Sequence, residues 1–127
     1  MAGHLWRSSR SLKESLMIFK QFDIWTADLN PTIGTEPGKI RPVVIIQTDL
    51  LNNEHPSTIV CPITSHLSVG VEILRVKLKK SQLPKDSEIL VDQIRSIDNR
   101  RFVKHISHLS KTQISLLKRN LAIVLDL

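Results

Sequence analysis

Arg41 combines a phosphate-binding side chain with a rigid place in the chain. It stands directly before Pro42 and the apolar run at residues 43–46, and the proline restricts the backbone here to an extended conformation, which helps to aim the guanidinium. The planar guanidinium fork matches the oxygens of a phosphate group. Because arginine stays charged in proteins, we expect Arg41 to stabilise negative charge rather than simply to donate a proton. The alternative is a surface arginine that pairs with Glu36 or Asp92.

Thr64 offers a hydroxyl at the end of the predicted strand 57–64, two residues after Pro62. An unaided threonine hydroxyl is a poor base. It can instead position a reacting hydroxyl by accepting or donating a hydrogen bond, while a neighbouring carboxylate or water takes the proton. The alternative is a strand-terminal threonine whose hydroxyl satisfies the backbone of a turn.

A second polar group begins at Asp92 and Gln93. A carboxylate accepts hydrogen bonds from exocyclic amines and an amide pairs with base edges, so both residues are candidates for reading nucleobases. Arg95 and Asp98 are three residues apart, and we expect them to pair with each other.

The histidines and lysines provide further candidates. His66 follows Thr64 by two residues, and we expect a solvated loop histidine there, with assistance to catalysis as the alternative. His105 and His108 have no third ligand at a metal-site interval, so we predict no metal. Four lysines precede the predicted fifth strand, where they form either a phosphate-binding rail or an ordinary solvated edge, two alternatives that the pattern leaves open. They are Lys77, Lys79, Lys80 and Lys85.

The amino-acid composition limits the kinds of molecule that the protein is expected to bind. The formal net charge is +6, which favours an anionic partner such as nucleic acid or an acidic protein tail. Residues 1–20 carry four basic residues and one acidic residue, +3 of that charge, so residues 21–127 hold the remaining +3. Two Trp, three Phe and no Tyr leave few platforms for stacking bases, so any nucleic-acid reading must rely on hydrogen bonds. No apolar run approaches the roughly 18 residues of a membrane span, and we expect a cytoplasmic protein.

The elements that must position these residues are mostly strands. Alternating or continuous apolar runs predict six strands, one of them a buried central strand at 43–46 and another with a bulge near Leu74 and Arg75. The predicted strands cover residues 22–29, 43–46, 57–64, 71–78, 87–97 and 102–106. A 3.6-residue period then predicts a C-terminal helix, which Ser110 and Gln113 begin as a capping box. Short strands followed by one helix indicate a small, strongly bent barrel.

Two smaller features complete the domain prediction. Residues 1–16 lack a sustained period, so we interpret them as an extension outside the fold, disordered or left over from cloning, and residues 17–127 as one domain. Cys61 lies in an apolar run, where a buried structural role is expected.

Three segments, in order, carry a resemblance to known proteins. The first is DIWTADLNPTIGTE at residues 23–36 with RPVVIIQ at 41–47, the second is VCPITS at 60–65, and the third is DQIRSID at 92–98. Together they resemble the motifs of the MazF/PemK toxin family, over about residues 17–127.

The resemblance implies a mainly β (α+β) fold, a small SH3-like β-barrel with a C-terminal α-helix as in the CcdB and MazF toxins. It implies a homodimeric toxin of a type II toxin–antitoxin system that cuts single-stranded RNA at short motifs without a metal or other cofactor. The ribose 2′-hydroxyl would attack its own phosphate and leave 2′,3′-cyclic phosphate and 5′-hydroxyl ends. A MazE-like antitoxin is the implied protein partner.

In this family an arginine matching Arg41 and a threonine matching Thr64 form the catalytic pair. Some PemK-like relatives instead use an aspartate at the position of Asp92 with an arginine and a histidine, but Leu90 and Thr35 stand at those two positions here. The Arg41 and Thr64 scheme therefore suits this chain better. We assign RNA binding to a further group of polar residues, namely Thr35, Glu36, Ser65, Asp92 and Gln93.

Two rival functions remain. A non-enzymatic toxin of the same fold, resembling the CcdB proteins that bind and poison DNA gyrase, is the main alternative, although those proteins lack the arginine and threonine arrangement. A peptide-binding SH3-like adaptor is the second, but such grooves need aromatic walls and this chain has few aromatic residues.

Overall fold

A computed structural model describes residues 17–31, 34–35, 39–68, 70 and 72–127. In these ranges the chain forms seven strands and a C-terminal helix. The strands are β1 (Asp23–Asp28), β2 (Ile40–Ile45), β3 (Ser57–Thr64), β4 (Arg75–Leu78), β5 (Ser87–Leu90), β6 (Arg95–Asp98) and β7 (Phe102–His108), and the helix is α1 (Lys111–Leu125).

The strands form one antiparallel sheet in the order β4-β5-β3-β2-β1-β7, with β6 paired to β3 beside this path. β3 is central because it pairs with three strands, β2, β5 and β6. The strands β4 and β7 lie at opposite ends of the order. The expected mainly β fold with a C-terminal helix is therefore confirmed, but the sheet is not closed, and the word barrel describes it only loosely.

The core lies on both faces of this sheet, which explains the continuous apolar run in β2. Val43 and Ile45 pack into a cluster with the aromatic rings of Phe19, Trp25 and Phe102. Val44 packs on the other face, in a cluster that includes Leu117 of α1. A strand segment buried on both faces needs apolar residues at every position, and residues 43–45 of β2 form such a segment.

Helix α1 begins as the sequence predicts. The Ser110 hydroxyl oxygen accepts from the backbone N–H of Gln113 at 3.2 Å, and the Gln113 side chain accepts from the Ser110 N–H at 2.9 Å. This capping box satisfies two backbone donors that a helix start leaves unpaired. Leu117 anchors the helix, because its side chain is completely buried against the sheet.

The predicted fifth strand at 87–97 is wrong as a single element, because it is two strands, β5 and β6, separated by a turn. In that turn the Gln93 N–H donates to the Leu90 carbonyl at 3.2 Å, and the chain then moves from the end of β3 to its beginning. The expected bulge near Leu74 is also wrong. A 3-10 turn at Glu72–Leu74 stands there and resets the alternation before β4.

Cys61 lies buried in β3, as expected. Burial raises the pKa of its thiol to about 12, with a further contribution from the negative charge of Asp92. Residues 1–16 lie outside the described residues. Along the described part of the chain, no helix is long and apolar enough to cross a membrane.

Candidate active site

Arg41 and Thr64 lie beyond the same end of the β2–β3 ladder. Val43 pairs with Pro62, and Val44 with Cys61, in an antiparallel ladder. Val43 and Pro62 are the last pair, and Arg41 and Thr64 each lie two residues beyond it. The sequence had suggested that Arg41 precedes the strand, but it lies within β2, where it pairs with Ala27 of β1.

A cavity of about 200 Å³ opens beside Arg41. Arg41 is half-buried at its wall and Ser65 contributes the first residue after β3. The complete lining is Arg41, Pro42, Ile63, Ser65, Leu83, Pro84, Lys85 and Ser87. The structure thus brings two of the predicted site residues, Arg41 and Ser65, to one cavity and adds the positive charge of Lys85.

Thr64 is nearly buried, with 9% of its surface exposed. Its hydroxyl oxygen accepts a hydrogen bond from the His66 N–H at 3.0 Å. This is the turn-stabilising role that the sequence offered as the alternative to catalysis. The two roles are compatible, because a hydroxyl that accepts one hydrogen bond keeps its own proton to donate and a second lone pair.

The loop between β1 and β2 is closed at its base. The Leu29 N–H donates to the Lys39 carbonyl at 2.9 Å, and the Lys39 N–H donates to the Asn30 side chain at 2.8 Å. Arg101 donates to the Asp28 carbonyl at 3.0 Å and also to the Asn30 carbonyl. These contacts fix the chain just before Arg41, and sequence reasoning missed Asn30 and Arg101 because their partners are distant in sequence.

Two of the predicted RNA-binding residues, Thr35 and Glu36, belong to this loop. Thr35 is exposed in the loop. Glu36 lies outside the described residues, so its suggested pairing with Arg41 does too. The loop carries Thr35 on a base that the preceding hydrogen bonds hold in place.

Asp92 and Gln93 occupy the turn between β5 and β6. Asp92 is exposed and Gln93 is half-buried. The Cys61 thiol of β3 donates to the carbonyl of Val91 at 3.9 Å, so the turn that begins at Asp92 starts beside Cys61, three residues before Thr64. Neither residue lines the cavity beside Arg41.

The expected pair of Arg95 with Asp98 is wrong, because Asp98 pairs with Arg100. Two hydrogen bonds of 2.9 Å join the Arg100 guanidinium to both carboxylate oxygens. The side-chain hydrogen bond from Arg100 is the main cause that lowers the pKa of Asp98. A spacing of three residues favours pairing on a helix, but in strand β6 it puts the two side chains on opposite faces.

The histidines take up ordinary positions. His66 is exposed in the loop after β3, as expected. His105 lies in β7 with Nε2 at 3.3 Å from Oδ2 of Asp23. Burial raises the pKa of Asp23 and the nearby His105 opposes that shift. Across the described residues, no group of three potential metal ligands comes together.

The four lysines left open by the sequence divide in the structure. Lys85 lines the cavity beside Arg41. Lys77 is exposed on β4, at the end of the sheet, opposite Glu88. The remaining two, Lys79 and Lys80, are exposed where β4 ends. Of these four lysines, only Lys85 therefore lies where its positive charge would stabilise a phosphate bound by Arg41.

Sequence comparisons place the chain among toxins. The family model for the PemK-like, MazF-like toxin of type II toxin–antitoxin systems matches residues 20–125. The chain is 37% identical over 113 residues to "Endoribonuclease EndoA" of Bacillus subtilis (strain 168), covering 87% of this chain and 97% of that protein. It is 41% identical over 95 residues to "Endoribonuclease MazF" of Staphylococcus saprophyticus, covering 73% of this chain and 79% of that protein.

Structural comparison gives the same fold. The crystal structure of MazF (Form-I) from Deinococcus radiodurans superposes with a TM-score of 0.77 at 20% identity, covering 87% of this chain and 99% of that one. The fold likeness, the family match and the two relatives agree, and they do not favour the gyrase-binding alternative. This chain belongs to the PemK-like, MazF-like toxin family of type II toxin–antitoxin systems.

Proposed function

We propose that this chain is a MazF-like endoribonuclease that cuts single-stranded RNA at short sequence motifs by metal-independent transesterification. Both curated relatives are named endoribonucleases. The observation that supports the chemistry is that Arg41 and Thr64 lie beyond the same end of the β2–β3 ladder, where a cavity is lined by Arg41 and by Ser65, the residue after Thr64. A charge stabiliser and a hydroxyl at the same end of two paired strands can act on one phosphodiester.

In the proposed reaction the ribose 2′-oxygen forms a bond to the adjacent phosphorus while the bond from phosphorus to the 5′-oxygen breaks. Thr64 positions the 2′-hydroxyl, whose proton passes to water or a carboxylate, and the leaving 5′-oxygen takes up a proton. Arg41 stabilises the charge on the phosphoryl oxygens, and Lys85 adds to its field. RNA binding is assigned to the residues around this centre, namely Thr35, Glu36, Ser65, Asp92 and Gln93.

The proposed assembly is a homodimer controlled by a MazE-like antitoxin in the cytoplasm. Helix α1 leaves apolar side chains unburied on one face, with Leu116 exposed by 36% and Ile123, two turns later, by 49%. An apolar face on one helix can form a self-complementary interface about a twofold axis. The formal charge of +6 suits an acidic antitoxin segment as well as RNA.

The experiment that tests this function identifies the RNA ends that the protein makes in excess EDTA. We expect 2′,3′-cyclic phosphate (or its opened form) and 5′-hydroxyl ends, since Arg41 supplies the positive charge that a metal would otherwise provide. Thr64→Val should remove most of this activity, whereas Thr64→Ser, which keeps the hydroxyl, should retain measurable cleavage. Cleavage that requires Mg²⁺ and leaves 5′-phosphates would reject the mechanism. An intact RNA with retained gyrase binding would favour the non-enzymatic alternative.

We propose that the toxin domain spans residues 17–127. The family match begins at residue 20, and Phe19 is already buried in the core. Deletion of residues 1–16 should therefore leave the melting temperature and the cleavage rate near those of the full chain. Both quantities can be measured on the purified truncated protein. A melting temperature lower by more than a few degrees, or loss of most cleavage, would mean that the extension packs on the domain.

A further inference from the structure

Glu88 is a buried carboxylate directly beside Thr64. Only 2% of its surface is exposed, and the pairing of β3 with β5 sets Thr64 opposite Glu88. A charge taken out of water is costly to stability unless other groups pair with it and complete its hydrogen bonds. The buried Glu88 carboxylate therefore needs an oppositely charged group to pair with it.

Arg75 is the partner, and the two side chains together hold the loop after β3. The Arg75 guanidinium donates from the same nitrogen to the Glu88 carboxylate at 3.2 Å and to the His66 carbonyl at 3.0 Å. The carboxylate oxygen of Glu88 that accepts from Arg75 also accepts from the Ser68 N–H at 3.0 Å. Both side chains thus hydrogen-bond the backbone of residues 66–68.

These contacts continue to the hydroxyl of Thr64. The His66 N–H donates to that hydroxyl at 3.0 Å, while the His66 carbonyl accepts from Arg75. The peptide groups on both sides of His66 are therefore fixed. Helix α1 supports the arrangement from behind, because the buried side chain of Asn120 donates to the Arg75 carbonyl at 3.3 Å.

We propose that Glu88 and Arg75 are positioning residues that hold residues 64–68 so that the Thr64 hydroxyl is oriented for the RNA 2′-hydroxyl. The inference rests on the proposed function of Thr64. Neither side chain lines the cavity beside Arg41, and both line a separate cavity of about 360 Å³ to which Ser68 also contributes. Their proposed effect on Thr64 therefore passes through the loop. A displacement of about 1 Å at a reacting group can lower the rate by on the order of 10²-fold.

The test separates positioning from stability by replacing the ion pair with apolar side chains. Arg75→Met alone leaves the buried Glu88 carboxylate without its arginine partner and should lower the melting temperature by on the order of 10 °C. Glu88→Met alone should lower it less, because the Arg75 side chain is 20% exposed and keeps its hydrogen bond to the His66 carbonyl. The Glu88→Met/Arg75→Met double variant should recover most of that melting temperature, since an apolar pair often replaces a buried ion pair without loss. Its kcat should stay at least ~10-fold below wild type, with KM changed much less, because the loop is still released.

A second measurement reports the loop itself. Amide hydrogen exchange at Ser68 should be at least ~10-fold faster in the double variant than in wild type, because this amide loses its Glu88 acceptor. The His66 amide keeps its Thr64 acceptor, but it should also exchange faster, because the His66 carbonyl loses its hydrogen bond from Arg75. Arg100→Met is the matched control. It removes an arginine from another ion pair, at Asp98, which pairs with Ser57 at the opposite end of β3 from Thr64. We expect wild-type kcat and wild-type exchange at His66 in this control.

The outcomes distinguish the two proposals. If wild type does not cut RNA in EDTA, the proposed function fails, and the exchange rates alone then decide whether the pair holds the loop. If wild type cuts RNA, a double variant with a kcat within about twofold of wild type, or with unchanged exchange at both amides, would overturn the positioning role.

Discussion

Arg41→Ala is expected to lower the cleavage rate by on the order of 10²-fold or more, because it removes a preorganised positive charge from the reacting phosphate. The fold should persist. Arg41 is half-buried in β2, and the core contacts of that strand are made by the apolar side chains that follow it. The measurement is single-turnover cleavage of a short RNA in EDTA, with the melting temperature recorded on the same samples.

Two further variants sharpen this result. Arg41→Lys keeps the charge but loses the planar fork, so we expect poor rescue. Lys85→Ala should have a smaller effect than Arg41→Ala, since Lys85 shares the cavity but presents only a point charge. An Arg41→Ala protein that cuts RNA at the wild-type rate would remove Arg41 from the mechanism, whatever the other two variants do.

Replacing one ribose with deoxyribose should block cleavage completely at that phosphate. The substituted nucleotide is the one on the 5′ side of the cut, whose 2′-hydroxyl is the proposed nucleophile. Binding of the oligonucleotide should remain, because the base edges and phosphates are unchanged. Cleavage is followed by electrophoresis and binding by fluorescence anisotropy. The binding constant should fall with salt at a log–log slope of about −0.7 for each phosphate contacted.

A second oligonucleotide with deoxyribose two nucleotides away from the cut serves as the control. It should be cut at nearly the normal rate, because its nucleophile is intact. Cutting at the substituted position would require a different nucleophile, such as water, and would rule out transesterification. Loss of binding by both oligonucleotides would point instead to recognition of 2′-hydroxyls along the strand.

The fold was largely predictable wherever local patterns decide structure. The capping box at Ser110 and Gln113 depends on residues three apart, and the apolar run of β2 matches a strand buried on both faces. The division of the predicted fifth strand was not predictable. It occurs because β5 and β6 pair with different parts of β3, and no local period records which strand a segment will pair with.

The candidate site was predictable in its residue types but not in its geometry. Arg41 and Thr64 were found through motifs, yet they lie 23 positions apart in the chain, and only the pairing of β2 with β3 brings them beyond the same end of one ladder. Glu88 was missed for the same reason, because it belonged to a predicted strand and carried no local signal of its neighbours. Lys85 was one of four lysines for which the sequence left a phosphate-binding rail and a solvated edge open, and no local pattern singled it out.

The reactivity of the buried Cys61 thiol can report how often strand β3 opens. The chain has one cysteine, its side chain is 0% exposed, and burial raises the pKa of the thiol to about 12. The thiolate is the form that alkylating reagents attack, so the closed strand is nearly inert to them. Iodoacetamide can alkylate Cys61 only when β3 opens locally, so the alkylation rate measures how often β3 opens. Because Thr64 ends the same strand, a simple mass-spectrometric time course reads the local stability of the segment that carries the candidate catalytic hydroxyl.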